Sequence, residues 1–179
     1  MPRIAPAAHP APEAQALLDG VKAKIGMVPN LYATLAHAPV ALESFLQSGD
    51  TLGRGRLSAK ERELVALAAA ELNSCAYCLS AHTAIAKGAG LSAEAIAQAR
   101  LGQPSEARAA AIVNLTRAIV REQGKLSQAD LAAAFAGGLT EGDLVEVLAV
   151  TVRNIFTNYA NHIFDTMIDF PAVTPGKAA

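Results

Sequence analysis

Apolar positions along the chain recur every three to four residues, and no period-two run bounded by hairpin turns interrupts them, so the pattern predicts helices and no strands. Leu17, Leu18, Val21 and Ile25 form a first stripe after Pro12, and Gly26 ends it. Val28-Pro29-Asn30 reads as a turn before a short helical piece over 31–35. Leu42, Phe45 and Leu46 mark a helix over 39–52, followed by a hinge-like loop, Gly53-Arg54-Gly55-Arg56, whose arginines are expected in solvent. Ser58-x-x-Glu61 is a capping box that opens a helix to about residue 72. Asn73-Ser74 can break that helix and start another near Cys75, which Gly88-Ala89-Gly90 stops.

Ser92 caps a short helix to about residue 101. Ile112, Leu115, Ile119 and Val120 then carry a longer one over 104–122, and a helix over 127–135 ends at Gly137-Gly138. Thr140-x-x-Asp143 caps the last, over 141–168. The expectation is an all-α fold of about seven to eight helices in a single domain spanning 1–179, with Pro-rich loose tails at 1–10 and 171–179. The last helix carries Val145, Leu148, Val152, Ile155, Phe156, Tyr159, Ile163, Phe164 and Ile168 over a wide arc. Such a helix is either central to a core or half of a subunit interface.

Composition narrows the function classes. The 179 residues are 52% hydrophobic and 17% charged with a net charge of −1, so the basic face that nucleic acid requires is absent. No apolar run is long enough to span a membrane, and the Pro-broken start makes a poor signal peptide. Two cysteines make no secreted disulfide framework, so a cytoplasmic location is expected.

Candidate chemistry concentrates in one stretch, 63–82, reading ELVALAAAELNSCAYCLSAH. It holds both cysteines, Cys75 and Cys78, and one of four histidines, His82. At about 100° per residue the three side chains share one helical face, and Cys78 and His82 are i, i+4 neighbours. A helix N-terminus favours a thiolate, and an imidazole can take its proton. A nucleophilic sulfur with a second sulfur in reach is the equipment for attack, sulfenic acid formation, disulfide closure and re-reduction. A carboxylate partner stays open between two residues. Glu63 faces elsewhere on an unbroken helix and approaches only if the chain turns at Asn73-Ser74, whereas Glu71 stands at i−4 from Cys75 if the helix continues.

The spacing Glu63-x11-Cys75-x-x-Cys78-x-x-x-His82, with Leu57-Ser58-x-x-Glu61 before it and Gly88-Ala-Gly90-Leu91-Ser92 after it, resembles the active-site signature of the alkylhydroperoxidase D-like branch of the carboxymuconolactone decarboxylase superfamily. A weaker likeness extends over about 26–170 and includes Asn158-x-x-Asn161-His162. The resemblance implies an all-α subunit that assembles into a homotrimer or homohexamer. It implies a thiol-dependent hydroperoxide reductase or a thiol–disulfide oxidoreductase, the former taking a hydroperoxide substrate and an external dithiol reductant, with no metal and no organic cofactor. It makes Cys78 the attacking sulfur, Cys75 the resolving one, His82 the proton acceptor and Glu63 its partner in a proton relay. One position departs from the pattern: the best-characterised members of the family have His beside the second cysteine, and this chain has Tyr77, a poor base near neutral pH.

Rival readings attach to the same residues. Both cysteines can be plain buried side chains. Cys75, Cys78 and His82 with Glu63 or Glu71 supply four zinc donors, although on one helix they are tight for a tetrahedron. The pair can serve thiol–disulfide exchange, or sense oxidation without turnover in a helical oligomer. The lactone decarboxylases that name the superfamily generally lack the cysteine pair. His162, in a polar run with Asn158 and Asn161, is a candidate pocket residue together with Tyr77 and Glu71.

Overall fold

A computed structural model describes residues 1–176. Among them lie nine helices and no strand: α1 (Pro12–Ile25), α2 (Asn30–Leu35), α3 (Pro39–Leu52), α4 (Ala59–Leu72), α5 (Ala76–Gly88), α6 (Ala93–Leu101), α7 (Ala107–Arg121), α8 (Gln128–Ala136) and α9 (Glu141–Phe164). The expected seven to eight are the eight helices of nine residues or more; the six-residue α2 is the ninth.

Helix α4 is the hub. Its middle, Leu64, Val65, Ala66, Leu67, Ala68, Ala69 and Ala70, is buried without a break, so it has no solvent face there. Alanine allows this. Its small side chain lets α5, α6, α7 and α9 pack around one axis, and its helix propensity keeps α4 formed. The flanking helices are amphipathic in the ordinary way. Helix α7 buries Ile112, Val113, Leu115 and Ile119 and exposes Asn114 and Arg121.

Three hydroxyl residues start helices as their sequence context predicts. Ser58 with Glu61 and Thr140 with Asp143 form reciprocal capping boxes, and the Ser92 hydroxyl accepts the Ala95 N–H. Ser127 with Asp130 forms a third box. Two boundaries differ from the pattern. The helix expected from residue 104 begins at Ala107, with Glu106 as its extended N-cap. The helix expected to reach residue 168 stops at Phe164, where Asp165 turns left-handed (φ 53°). The cause is tertiary: Asp169 accepts the Asn30 N–H at 2.6 Å, and the Asn30 side-chain amide donates to the Met167 carbonyl at 3.0 Å. These bonds pull 165–169 off the helix axis and across the start of α2.

Residues 1–10 and 171–176 are irregular but attached. Arg3 and Ile4 donate backbone N–H groups to the Phe164 carbonyl, and Ala7 donates to Ala33. Beyond Pro171, Val173 N–H donates to the Ser80 hydroxyl at 2.9 Å and Arg100 donates to the Thr174 carbonyl at 2.8 Å. The last three positions of the expected C-terminal tail, 177–179, lie outside the described residues. No described helix is long and apolar enough to cross a membrane.

The start of α9 shows how charge is handled away from the centre. The Asp143 carboxylate is buried and accepts from the Thr140 N–H (2.9 Å), the Thr140 hydroxyl (2.7 Å) and Arg108 (3.3 Å), with Arg56 at 3.5 Å. The Arg108 guanidinium foremost, then these Thr140 donors, hold the carboxyl well below the usual carboxylate range. Asp143→Asn is expected to lower stability by roughly 1–3 kcal/mol at pH 7, since a cap and a charge-assisted bond are lost together. Because the folded pKa is depressed, the stabilisation is present above the unfolded carboxyl value of about 4 and fades as pH falls through the folded one. Urea titrations of both proteins at pH 7 and pH 3 check this: the gap between them should narrow in acid.

Candidate functional site

The sequence after Leu72 reverses direction within three residues. Ser74 takes a left-handed conformation (φ 53°), its N–H donates to Glu71, and the Cys75 N–H reaches back to Ala70 at 2.9 Å. This paired closure is a Schellman end with serine where glycine is commoner. Cys75 becomes the N-cap of α5: its sulfur accepts the Cys78 N–H at 3.3 Å. The expected break is therefore real, and the capping group is the Cys75 sulfur instead of Asn73 or Ser74.

The reversal lays α5 back along α4 and settles which carboxylate joins the cysteine pair. Glu63 Oε2 lies 2.8 Å from His82 Nδ1, both largely buried. Glu71 is elsewhere. It pairs with Arg100 at 2.6 Å and bonds the Gly176 N–H, because residue 71 stands at the outer end of α4 toward α6 and the C-terminal segment.

Cys75 and Cys78 are free cysteines with sulfurs 2.7 Å apart, the Cys75 thiol directed at Cys78. Both are buried. The two are driven apart as acids. The Cys75 S–H bond foremost stabilises a Cys78 thiolate, and with His82, Asn158 and Asn161 it outweighs burial and brings the Cys78 pKa to about 6. The same bond, with burial, pushes the Cys75 thiol up. His82 is raised as well: burial opposes its charge, and the Glu63 carboxylate overcomes that opposition.

Helix α9 supplies the remaining contacts. Asn161 donates its side-chain amide to the Cys78 sulfur at 3.3 Å. Asn158, fully buried one turn earlier, accepts from the Asn73 amide at 2.8 Å. His162 does not reach the sulfurs. Its Nε2 pairs with the Asn73 carbonyl at 2.8 Å on the exposed side, so it braces the α4–α5 corner. Asn158 and His162 thus fasten the same residue from two directions.

A cavity of about 460 Å³ opens onto Cys78 and His82. Its walls are largely apolar, with Leu31, Phe45, Tyr77 and Phe170 prominent. Neither Glu71 nor His162 lines it; Tyr77 does. The Tyr77 hydroxyl accepts the Leu31 N–H at 3.3 Å and lies beside the Asp169 carboxylate, and the ring meets Phe170 edge-on at 5.8 Å. Burial raises its pKa, so it remains a neutral phenol that fills wall space. Two polar residues of the cavity, Tyr32 and Arg153, stand out in the structure and not in the sequence. Both sit in ordinary helical patterns far from the cysteines, and only the fold brings them near. Among the described residues no group of three or more His, Cys, Asp or Glu side chains is placed to hold a metal ion.

Comparison with known proteins gives a consistent picture. Residues 39–118 match the carboxymuconolactone decarboxylase family. No curated protein matches the chain significantly. Among solved structures, a peroxidase-related protein from Ralstonia eutropha, described as an alkylhydroperoxidase AhpD core, shares 26% identity over 93% of both chains with a TM-score of 0.78. A second peroxidase-related protein, from a Silicibacter species, shares 25% identity over 90% of this chain and 87% of its own, with a TM-score of 0.80. The debrominase Bmp8 shares the fold at 18% identity, 93% and 91% coverage and a TM-score of 0.79.

The electrostatic arrangement has a direct readout. The rate of Cys78 alkylation by iodoacetamide should rise with pH about a midpoint near 6. Cys75→Ala removes the principal donor to the thiolate and should move the midpoint upward, and His82→Gln should move it the same way. Mass-resolved alkylation rates from pH 4 to 10 measure all three; a wild-type midpoint at about 8.5, the value of a free thiol, contradicts the assignment.

Proposed function

We propose that the chain is a member of the alkylhydroperoxidase D-like branch of the carboxymuconolactone decarboxylase superfamily and an oxidoreductase that reduces organic hydroperoxides with its cysteine pair, a reading supported by the family match over 39–118 and the peroxidase-related structures of like fold. The observation that carries this reading is the Cys78 sulfur: it lines a largely apolar cavity, 2.7 Å from the Cys75 thiol that donates to it, and that donor with His82, Asn158 and Asn161 draws its pKa down to about 6.

In the proposed cycle the Cys78 thiolate attacks the terminal oxygen of the hydroperoxide. An S–O bond forms as the O–O bond breaks, and the alkoxide leaves as an alcohol with a proton from His82, whose charge Glu63 supports. Sulfur is oxidised by two electrons and the peroxide is reduced by two. The Cys75 thiol then condenses with the sulfenic acid, giving the disulfide and one water. An external dithiol carrier returns two electrons and two protons by exchange. Such a carrier suits a reducing compartment, which supports a cytoplasmic location. The largely apolar walls favour an organic hydroperoxide over hydrogen peroxide.

Assembly is part of the same proposal. Val145, Leu148, Val152, Phe156, Tyr159 and Ile163 are all exposed on α9, at steps of three and four residues, and form a continuous apolar stripe. A homotrimer or homohexamer that buries this stripe would account for it.

Two experiments test the reading. With cumene hydroperoxide and a dithiol reductant, the wild type should turn over repeatedly, Cys78→Ser should lose activity by several orders of magnitude, and Cys75→Ser should accumulate a sulfenic acid that dimedone traps. One turnover followed by arrest would mean a sensor, and exchange with dithiols but no reaction with peroxide would mean a thiol–disulfide oxidoreductase. For the assembly, light scattering after gel filtration should give a trimer or hexamer, and the double variant Val152→Glu, Ile163→Glu should give monomers with the helical content unchanged.

A further inference from the structure

Arg153 is the one residue of the cavity whose charge the protein leaves unanswered. It projects from α9 into the wall shared by the Cys78 cavity and a neighbouring one of about 270 Å³ on the Glu63 side of His82. Its guanidinium lies 3.9 Å over the Phe45 ring. On the other side α3 passes so close that a Cβ at Gly49 would sit 2.6 Å from Nη2, so glycine there makes the seat for the guanidinium. The seat is specific, and yet no carboxylate among the described residues comes within 4.0 Å of the group. Its Nε is buried with no hydrogen-bond partner.

The charges that do act on Arg153 are engaged elsewhere. Glu63 bonds His82, and Asp50 pairs with Lys24 at 2.7 Å. The Tyr32 hydroxyl beside it is neutral, since burial raises its pKa. The Cys78 thiolate has its own stabilisers in Cys75, His82 and two asparagines. A desolvated guanidinium remains charged and costs free energy unless an anion meets it. The aromatic face of Phe45 compensates only in part.

Resting on the proposed hydroperoxide chemistry, we infer that Arg153 is a substrate-binding residue and that the substrate is an organic hydroperoxide carrying a carboxylate. A carboxylate matches the planar fork of the guanidinium with two parallel bonds. Arg153 is the one guanidinium lining the Cys78 cavity, which suits a monoanion; in the neighbouring cavity Lys24 pairs with Asp50, and Arg62 donates to the Leu57 carbonyl. The rest of the wall is suited to an apolar body, so the substrate has one anionic end held at Arg153 and its peroxide brought to Cys78.

The test compares linoleic acid hydroperoxide with its methyl ester, and it measures decanoate binding by calorimetry on the reduced protein without turnover. Wild type should favour the acid over the ester by roughly ten- to hundredfold in kcat/KM, the worth of a hydrogen bond to a charged group, with the difference mainly in KM. Arg153→Met should bring that ratio close to one and abolish decanoate binding, and Arg153→Lys should restore part of both. Gly49→Ala, which displaces the guanidinium without deleting it, should lower the ratio as well. Equal handling of acid and ester by the wild type, with no decanoate binding, overturns the inference. Decanoate binding that depends on Arg153 in a protein inert to both hydroperoxides would uphold the anion site and overturn the peroxide chemistry instead.

Discussion

The reversal at Asn73-Ser74-Cys75 is the constraint on which the site depends. A left-handed residue other than glycine costs on the order of 1 kcal/mol, and here Ser74 is held there by bonds on both sides. The Ser74 and Cys75 N–H groups close the end of α4, while α9 fastens Asn73 through Asn158 and His162. Three consequences follow from one corner. Cys75 leaves the helix and becomes its cap, the Cys78 amide points at the Cys75 sulfur, and Glu63 comes opposite His82. A continuous helix through this region would have placed Glu63 about 120° away from the cysteines.

Two adjacent thiols with one proton between them do not titrate as independent groups. The asymmetry is set by surroundings, since both sulfurs are buried. Cys78 sits at N3 of α5, facing His82 and the amides of α9; Cys75 gives its proton to the shared bond. Burial alone would raise both pKa values and leave two inert thiols. The separation therefore comes from specific donors, and those donors come from α5 and α9 together. This explains why the site lies where the α4–α5 hairpin meets the long last helix.

Much of the fold was legible in the sequence because it is local. Helix starts at Ser58, Ser92 and Thr140, and stops at Gly26 and the Gly88-Ala89-Gly90 run, rest on capping and turn preferences that act within four residues. The cysteine pair and His82 were legible for the same reason, as i, i+3 and i+4 neighbours. What was not legible is tertiary. The choice of Glu63 over Glu71 needed the angle of the reversal and the Arg100 partner that occupies Glu71. The stop at Phe164 needed Asn30, more than a hundred residues away in the chain. Arg153 and Tyr32 carried no signal at all, because an arginine in a helix is ordinarily a solvated one.

Helix α9 has two faces with different work. Inward, Asn154, Asn158 and Asn161 replace apolar residues that a buried helix would normally carry; Asn161 meets the Cys78 sulfur, Asn158 meets the α4–α5 corner, and Asn154 turns its amide back to the Val150 carbonyl of its own helix. Outward runs the exposed apolar stripe. The two faces are joined through aromatic packing: Phe156 on the stripe stacks on Phe45 with centroids 5.8 Å apart, and Phe45 supports the Arg153 guanidinium from below. A protomer seated on the stripe would press on Phe156, and through Phe45 it would fix the wall of the cavity that faces Cys78. Assembly and substrate fit would then share one set of contacts, since the cavity wall is completed by the same ring that the outer face of α9 holds in place.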